Sequence, residues 1–108
     1  MAMVAVSISP IGTGETSVSR FVAEAQRVLA RHPELTYRLD PMFTTIEGDL
    51  SHIFAAIQEM HEALVAMGAK RLSTVIKIDD RRDVYHSMDD KVAAVLSKLN
   101  GEGASEWE

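Results

Sequence analysis

Cysteine is absent from the chain. That excludes a disulfide framework, a thiolate nucleophile and any cysteine-based metal site, and it fits a reducing compartment. An excess of positive charge is also missing: 11 basic against 16 acidic residues leave a net charge of −5. A phosphate-binding surface needs a basic face, so nucleic acid is not an expected partner. No apolar run approaches the roughly 20 residues that span a bilayer. The first twelve residues, MAMVAVSISPIG, lack the basic flank and long apolar centre of a secretory signal. The expected location is the cytoplasm, with no membrane partner.

What remains is an ordinary globular composition. Of 108 residues, 46% are hydrophobic and 25% charged, enough for one domain with one core.

The apolar pattern alternates between the two regular periods. Val4, Val6 and Ile8 interleave with Ala5, Ser7 and Ser9, the period-2 signature of a half-buried strand. After the break Gly12-Thr-Gly14, with Thr16 or Ser17 as a capping residue, Val18, Phe21, Val22, Ala25, Val28 and Leu29 form a helical stripe ending near His32-Pro33. Two short strands follow, Thr36 to Asp40 and Phe43 to Gly48, close enough for an antiparallel hairpin turned at Pro41.

A second helix, capped by Asp49 or Ser51, carries Leu50, Ile53, Phe54, Ile57, Met60, His61, Leu64 and Val65, and Gly68 stops it. A fourth strand places Leu72, Thr74, Ile76 and Ile78 on one face and Ser73, Val75, Lys77 and Asp79 on the other. Ser87 and Asp90 have capping-box spacing before a short third helix bearing Met88, Val92, Val95, Leu96 and Leu99. The order β-α-β-β-α-β predicts an α+β, ferredoxin-like sandwich: a four-stranded antiparallel sheet, two helices on one face, and a short C-terminal helix. Residues 1–99 form the domain, and the aperiodic tail 100–108 is expected to be disordered.

Helices on one face leave the other sheet face open to water or a partner. Strand alternation assigns it Ser7, Ser9, Thr45, Glu47, Ser73, Val75, Lys77 and Asp79. Such a face is either solvated, with a Glu47/Lys77 cross-strand pair, or it meets a second sheet and encloses a small-molecule pocket. A free edge strand also invites pairing between subunits.

Other candidate chemistry is weak. Gly12-Thr-Gly14 lacks the third glycine of a dinucleotide fingerprint and the lysine of a phosphate-binding loop, so it reads as a strand-to-helix turn. Asp79, Asp80 and Asp83, with His86 nearby, resemble a hard-metal cluster, but Arg81 and Arg82 interrupt them, and a salt-bridged strand end is expected instead. His52 and His61 are nine residues apart, which is not a ligand pair on a helix. Met42, Met60, Met67 and Met88 read as gap-filling or turn residues. Glu47 and Asp79 are the acids that an enzyme would use, and nothing in their spacing makes them converge.

Three segments carry a family resemblance: Val6 to Gly14 (VSISPIGTG) with Ser17-Val-Ser19, Pro41 to Asp49 (PMFTTIEGD), and Ile76 to Arg82 (IKIDDRR). Together they resemble the small thiamine-binding proteins over roughly residues 3 to 99. The resemblance implies a ferredoxin-like fold, assembly into dimers or a homotetramer, and non-enzymatic binding of thiamine or its hydroxymethylpyrimidine part, with no cofactor or metal. An aminopyrimidine donates and accepts hydrogen bonds in one plane, which suits Glu47 beside Thr45. A thiazolium cation favours an acid or an aromatic face, which Asp79 or Tyr37 supplies. Ser7, Ser9 and Lys77 complete the expected ligand-binding set. The alternative is an oligomeric interaction module with no small-molecule ligand.

Overall fold

A computed structural model describes residues 1–101; all but the first two residues of the expected tail, 100–108, lie outside the described residues. The elements are β1 (Ala2–Pro10), α1 (Ser19–Ala30), β2 (Thr36–Leu39), β3 (Thr44–Gly48), α2 (Leu50–Ala66), β4 (Leu72–Asp79) and α3 (Met88–Leu99). The strands form one antiparallel sheet in the order β2-β3-β1-β4. This is the α+β sandwich expected from the alternation of periods.

Register explains the core. Val4 lies opposite Ile46 on one side and Ile78 on the other, and Val6 lies opposite Thr44 and Ile76. Directly opposed residues share a face, so β1 and β3 present Val4, Val6 and Ile46 together to the helices. From α1 come Phe21, Ala25, Val28 and Leu29, and from α2 come Ile53, Ala56, Ile57, Met60 and Leu64, all buried. Gly48 ends β3 at the open end of the hairpin, where the chain passes Leu35: a Cβ there would stand 2.5 Å from Leu35 Cδ2.

The differences from the sequence reading are local. Helix α1 begins at Ser19, with Val18 as its N-cap and no side-chain cap bond; Thr16 and Ser17 lie outside it. Asp49 is the N-cap of α2, but its carboxylate takes the Ser51 hydroxyl rather than a backbone N–H. Phe54 and Val65, placed on the apolar stripe of α2, are exposed. So are Ile76 and Ile78, although they point to the helix side of the sheet. Helices α1 and α2 sit mainly over the central strands β1 and β3, and β4 is an edge strand that meets α2 only near its start, at Leu72 and Thr74. The expected capping box of α3 is present: Ser87 Oγ accepts the Asp90 N–H at 3.1 Å, and the Asp90 carboxylate accepts the Ser87 N–H at 3.0 Å.

Candidate functional site

The uncovered sheet face carries the residues that alternation assigned to it. One row across the sheet reads Asp79, Met3, Glu47, Thr36, and the next reads Lys77, Ala5, Thr45, Arg38. Ser7 and Ser9 continue along β1 opposite Val75 and Ser73. Because β1 separates β3 from β4, Glu47 and Lys77 are not cross-strand neighbours, and the expected pair between them does not form. Tyr37 departs from the set: it lies opposite Ile46 and so shares the helix-side face, away from Glu47 and Asp79.

Glu47 is the most constrained of these groups. It is only 7% exposed, although it projects from the uncovered face. Its carboxylate accepts the Tyr85 hydroxyl at 2.6 Å and the backbone N–H of Met88, the first residue of α3. A carboxylate at a helix N-terminus meets unpaired N–H groups and the positive end of the helix dipole. Burial first, and then the Glu47 carboxylate, push the Tyr85 phenol far above its ordinary value, so it stays a donor.

Two exposed ion pairs flank this anchor, Arg38 with Asp89 and Asp79 with Lys91. The Lys91 ammonium holds the Asp79 carboxyl below its usual range. The start of α3 thus covers the end of the face holding Glu47 and engages Asp79. The remaining candidates Ser7, Ser9, Thr45 and Lys77 lie beside or beyond that covered end. Beyond its first turn, α3 exposes Val92, Val95, Leu96 and Leu99 on one side.

A cleft lies on the other side of the sheet. Its volume is about 570 Å³, within the roughly 300–1,000 Å³ of small-molecule sites. Its origin is a mismatch in strand length. Strand β3 starts at Thr44 opposite Val6, while β1 continues to Pro10. The gap is bordered by Ser7 and Ile8 of β1, and α1 forms one wall through Ser19, Val22, Ala23 and Gln26. The β2–β3 turn, closed by the Asp40 N–H donating to the Phe43 carbonyl at 2.9 Å, forms another with Leu39, Pro41, Met42 and Phe43.

Val6, Ala25, Thr44 and Met60 form the floor of the cleft. Thr44 is buried, and its hydroxyl accepts from Gln26 Nε2 at 3.0 Å. Gln26 Oε1 is buried without a hydrogen-bond partner among the described residues. Asp40 is the one charged side chain in the lining.

Of the expected ligand-binding residues, only Ser7 borders this cleft. The rest of its lining was not anticipated. A signal existed: Gln26 follows Val22 by four residues and precedes Leu29 by three, a polar residue at a stripe position. The turn Asp40-Pro-Met-Phe43 likewise holds large apolar groups where polar ones are usual, and Met42 is 79% exposed.

The acidic cluster after β4 is a set of ion pairs. Arg81 meets Asp83 at 2.7 Å and Arg82 meets Asp80 at 2.8 Å, and the Arg81 guanidinium lowers the Asp83 carboxyl to about 2. No group of metal-ligating residues occurs among the described residues. His61 Nε2 pairs with the Thr74 hydroxyl at 2.8 Å, which ties α2 to β4. No helix among the described residues is long and apolar enough to cross a membrane.

This architecture recurs among known proteins. A UPF0045 protein from Staphylococcus xylosus is 43% identical over 106 residues, covering 95% of this chain and 99% of its own. Bacillus subtilis YqgV, also a UPF0045 protein, is 45% identical over 92% of this chain and 98% of its own. A hypothetical protein from Methanocaldococcus jannaschii superposes with a TM-score of 0.78 at 34% identity, covering 87% and 94% of the two chains. A Thermotoga maritima protein whose name assigns it to thiamine biosynthesis or salvage has the same fold, with a TM-score of 0.73 at 19% identity over 87% and 97%. Residues 4–96 match the family described as thiamine-binding protein. The chain therefore belongs to the thiamine-binding protein family.

Proposed function

We propose that the protein binds thiamine or its hydroxymethylpyrimidine part, without catalysis, in the cleft between α1, the end of β1 and the β2–β3 turn. The observation that carries this reading is the cleft itself, about 570 Å³, with a mainly apolar wall and a part-buried polar pair, Gln26 and Thr44. A flat heteroaromatic ring matches such a wall, and a few placed polar groups orient it. The lone charge, Asp40, tolerates a thiazolium cation at the mouth. Membership of the thiamine-binding family supports the choice of ligand.

The open-face groups suit structure better than chemistry. Glu47 and Asp79 stand two strands apart, about 10 Å by strand spacing, and each already has an internal partner. A non-catalytic role accords with that.

A second feature favours self-association. The stripe Val92, Val95, Leu96 and Leu99 is exposed on α3, and exposed apolar patches of this kind mark interaction surfaces. A dimer or tetramer built on α3 and the uncovered sheet would bury it, and Ser9, Thr45 and Lys77 would then lie at the subunit interface.

The test is thermal unfolding with thiamine, thiamine monophosphate and hydroxymethylpyrimidine, in the native chain and in Ala23→Phe, which fills the cleft from its α1 wall. A ligand at 100 times its Kd adds about 2.7 kcal/mol of stability. Stabilisation of the native chain that is lost in Ala23→Phe supports the site. No stabilisation by any of the three, or the same shift in both proteins, overturns it.

A further inference from the structure

Resting on the cleft reading above, we propose that the Gln26–Thr44 pair is its specificity determinant, selecting a planar heterocycle that presents an in-plane hydrogen-bonding group to the amide end that Thr44 leaves free. The argument starts from an unmet requirement. Gln26 donates through Nε2 to the Thr44 hydroxyl at 3.0 Å, while its Oε1 is buried and unpartnered. A buried polar atom without a partner carries its full desolvation penalty, and interiors seldom retain one without a purpose.

Exchanging the amide nitrogen and oxygen does not remove the deficit. The Thr44 hydroxyl donates as readily as it accepts, so a turned amide would leave a nitrogen unpaired instead. One end of the amide lacks a partner in either orientation.

The side chain is also placed to use that end on a ligand. Gln26 forms part of the cleft wall and is half-buried as a whole, whereas Thr44 beneath it is buried. Oε1 is shielded from water, so contact with it requires the amide to turn, and the terminal torsion of a glutamine is broad and soft. An exocyclic amine and a ring nitrogen present a donor and an acceptor in one plane, and either can meet the single amide end that Thr44 leaves free. Elsewhere in the wall, Val22, Ala23, Leu39 and Phe43 are apolar and supply area without direction. Gln26 thus decides which ring binds, and the apolar wall decides only that a ring binds.

The experiment is calorimetric titration of thiamine and of hydroxymethylpyrimidine into the native chain, Gln26→Met, Gln26→Asn and Ala23→Phe. Met keeps the length and removes both polar atoms, whereas Asn keeps the amide and shortens its reach. Loss of one neutral hydrogen bond corresponds to about tenfold in Kd. Both Gln26 variants are expected to bind both ligands about tenfold more weakly, with thermal unfolding of the unliganded protein showing that they remain folded.

Unchanged affinity in Gln26→Met and Gln26→Asn, with binding abolished by Ala23→Phe, overturns the role of Gln26 and leaves the cleft standing. Undiminished binding in Ala23→Phe overturns the cleft and this inference together, as does an absence of binding to the native chain.

Discussion

Tyr85 donates its hydroxyl to Glu47 at 2.6 Å, joining the loop before α3 to the end of the inner strand β3 across 38 positions of sequence. The same carboxylate accepts the first N–H of α3. One buried acid therefore sets where the C-terminal helix begins and how it leaves the sheet. Removing it strands two donors at once.

Glu47→Ala is expected to cost about 1–3 kcal/mol, the range for a buried partner left unpaired. The loss should concentrate in α3, whose main attachments are this carboxylate and two exposed ion pairs of little strength. Amide exchange would show α3 opening ahead of the central strands in the variant. Tyr85→Phe, which removes one of the two donors, should cost about 1 kcal/mol. Equal protection of α3 in Glu47→Ala and the native chain would contradict the anchoring role.

His32 links the end of α1 to Glu59 on α2 and to Glu34. The Glu59 hydrogen bond, the largest influence, raises its folded-state pKa above 6.5 despite opposing burial. A raised value means that the folded state binds the proton more tightly than the unfolded chain. The contribution is fully present below pH 6.5 and disappears as pH rises through the folded-state value. Denaturation measured from pH 5 to 8 should show this decline in the native chain. The slope should be reduced in His32→Ala, and identical slopes in the two proteins would refute the linkage.

Ile46 lies opposite Val4 and Tyr37 in the centre of the sheet and is fully buried. Ile46→Ala is expected to lower stability by about 2–5 kcal/mol, through lost burial and the cavity left behind. Ile78→Ala, also apolar and on the same side of the sheet but exposed on the edge strand, should cost well under half of that. Urea unfolding of the two variants makes the comparison.

Leu96→Lys and Val92→Lys place charge on the exposed stripe of α3 without disturbing the sandwich. If the stripe joins copies of the chain, light scattering after size exclusion will show a larger assembly for the native chain and a smaller one for the double variant. An unchanged mass would remove α3 from the interface.

The division between what could be read locally and what could not follows element by element. Val4, Val6 and Ile8 on a period of two, and Phe21, Ala25, Val28 and Leu29 on a period near 3.6, specified their elements and core faces, because each pattern reports a geometry internal to one segment. Ser87 and Asp90 likewise marked the start of α3, since a capping box is completed within four residues. The open-face membership of Ser7, Ser9, Thr45, Glu47, Lys77 and Asp79 followed from alternation alone.

What those groups touch did not. The burial of Glu47 depends on a loop 38 positions away, and the exposure of Ile76 and Ile78 depends on which strand lies at the edge. The cleft exists because β1 outruns β3 beneath α1, a relation among three segments that no local pattern encodes. The sequence by itself determined the elements and their inward faces. Only tertiary packing decided which polar groups were consumed in holding the fold and which, like Gln26 Oε1, remained without a partner, because hydrogen bonds between segments depend on distances that only the assembled chain defines.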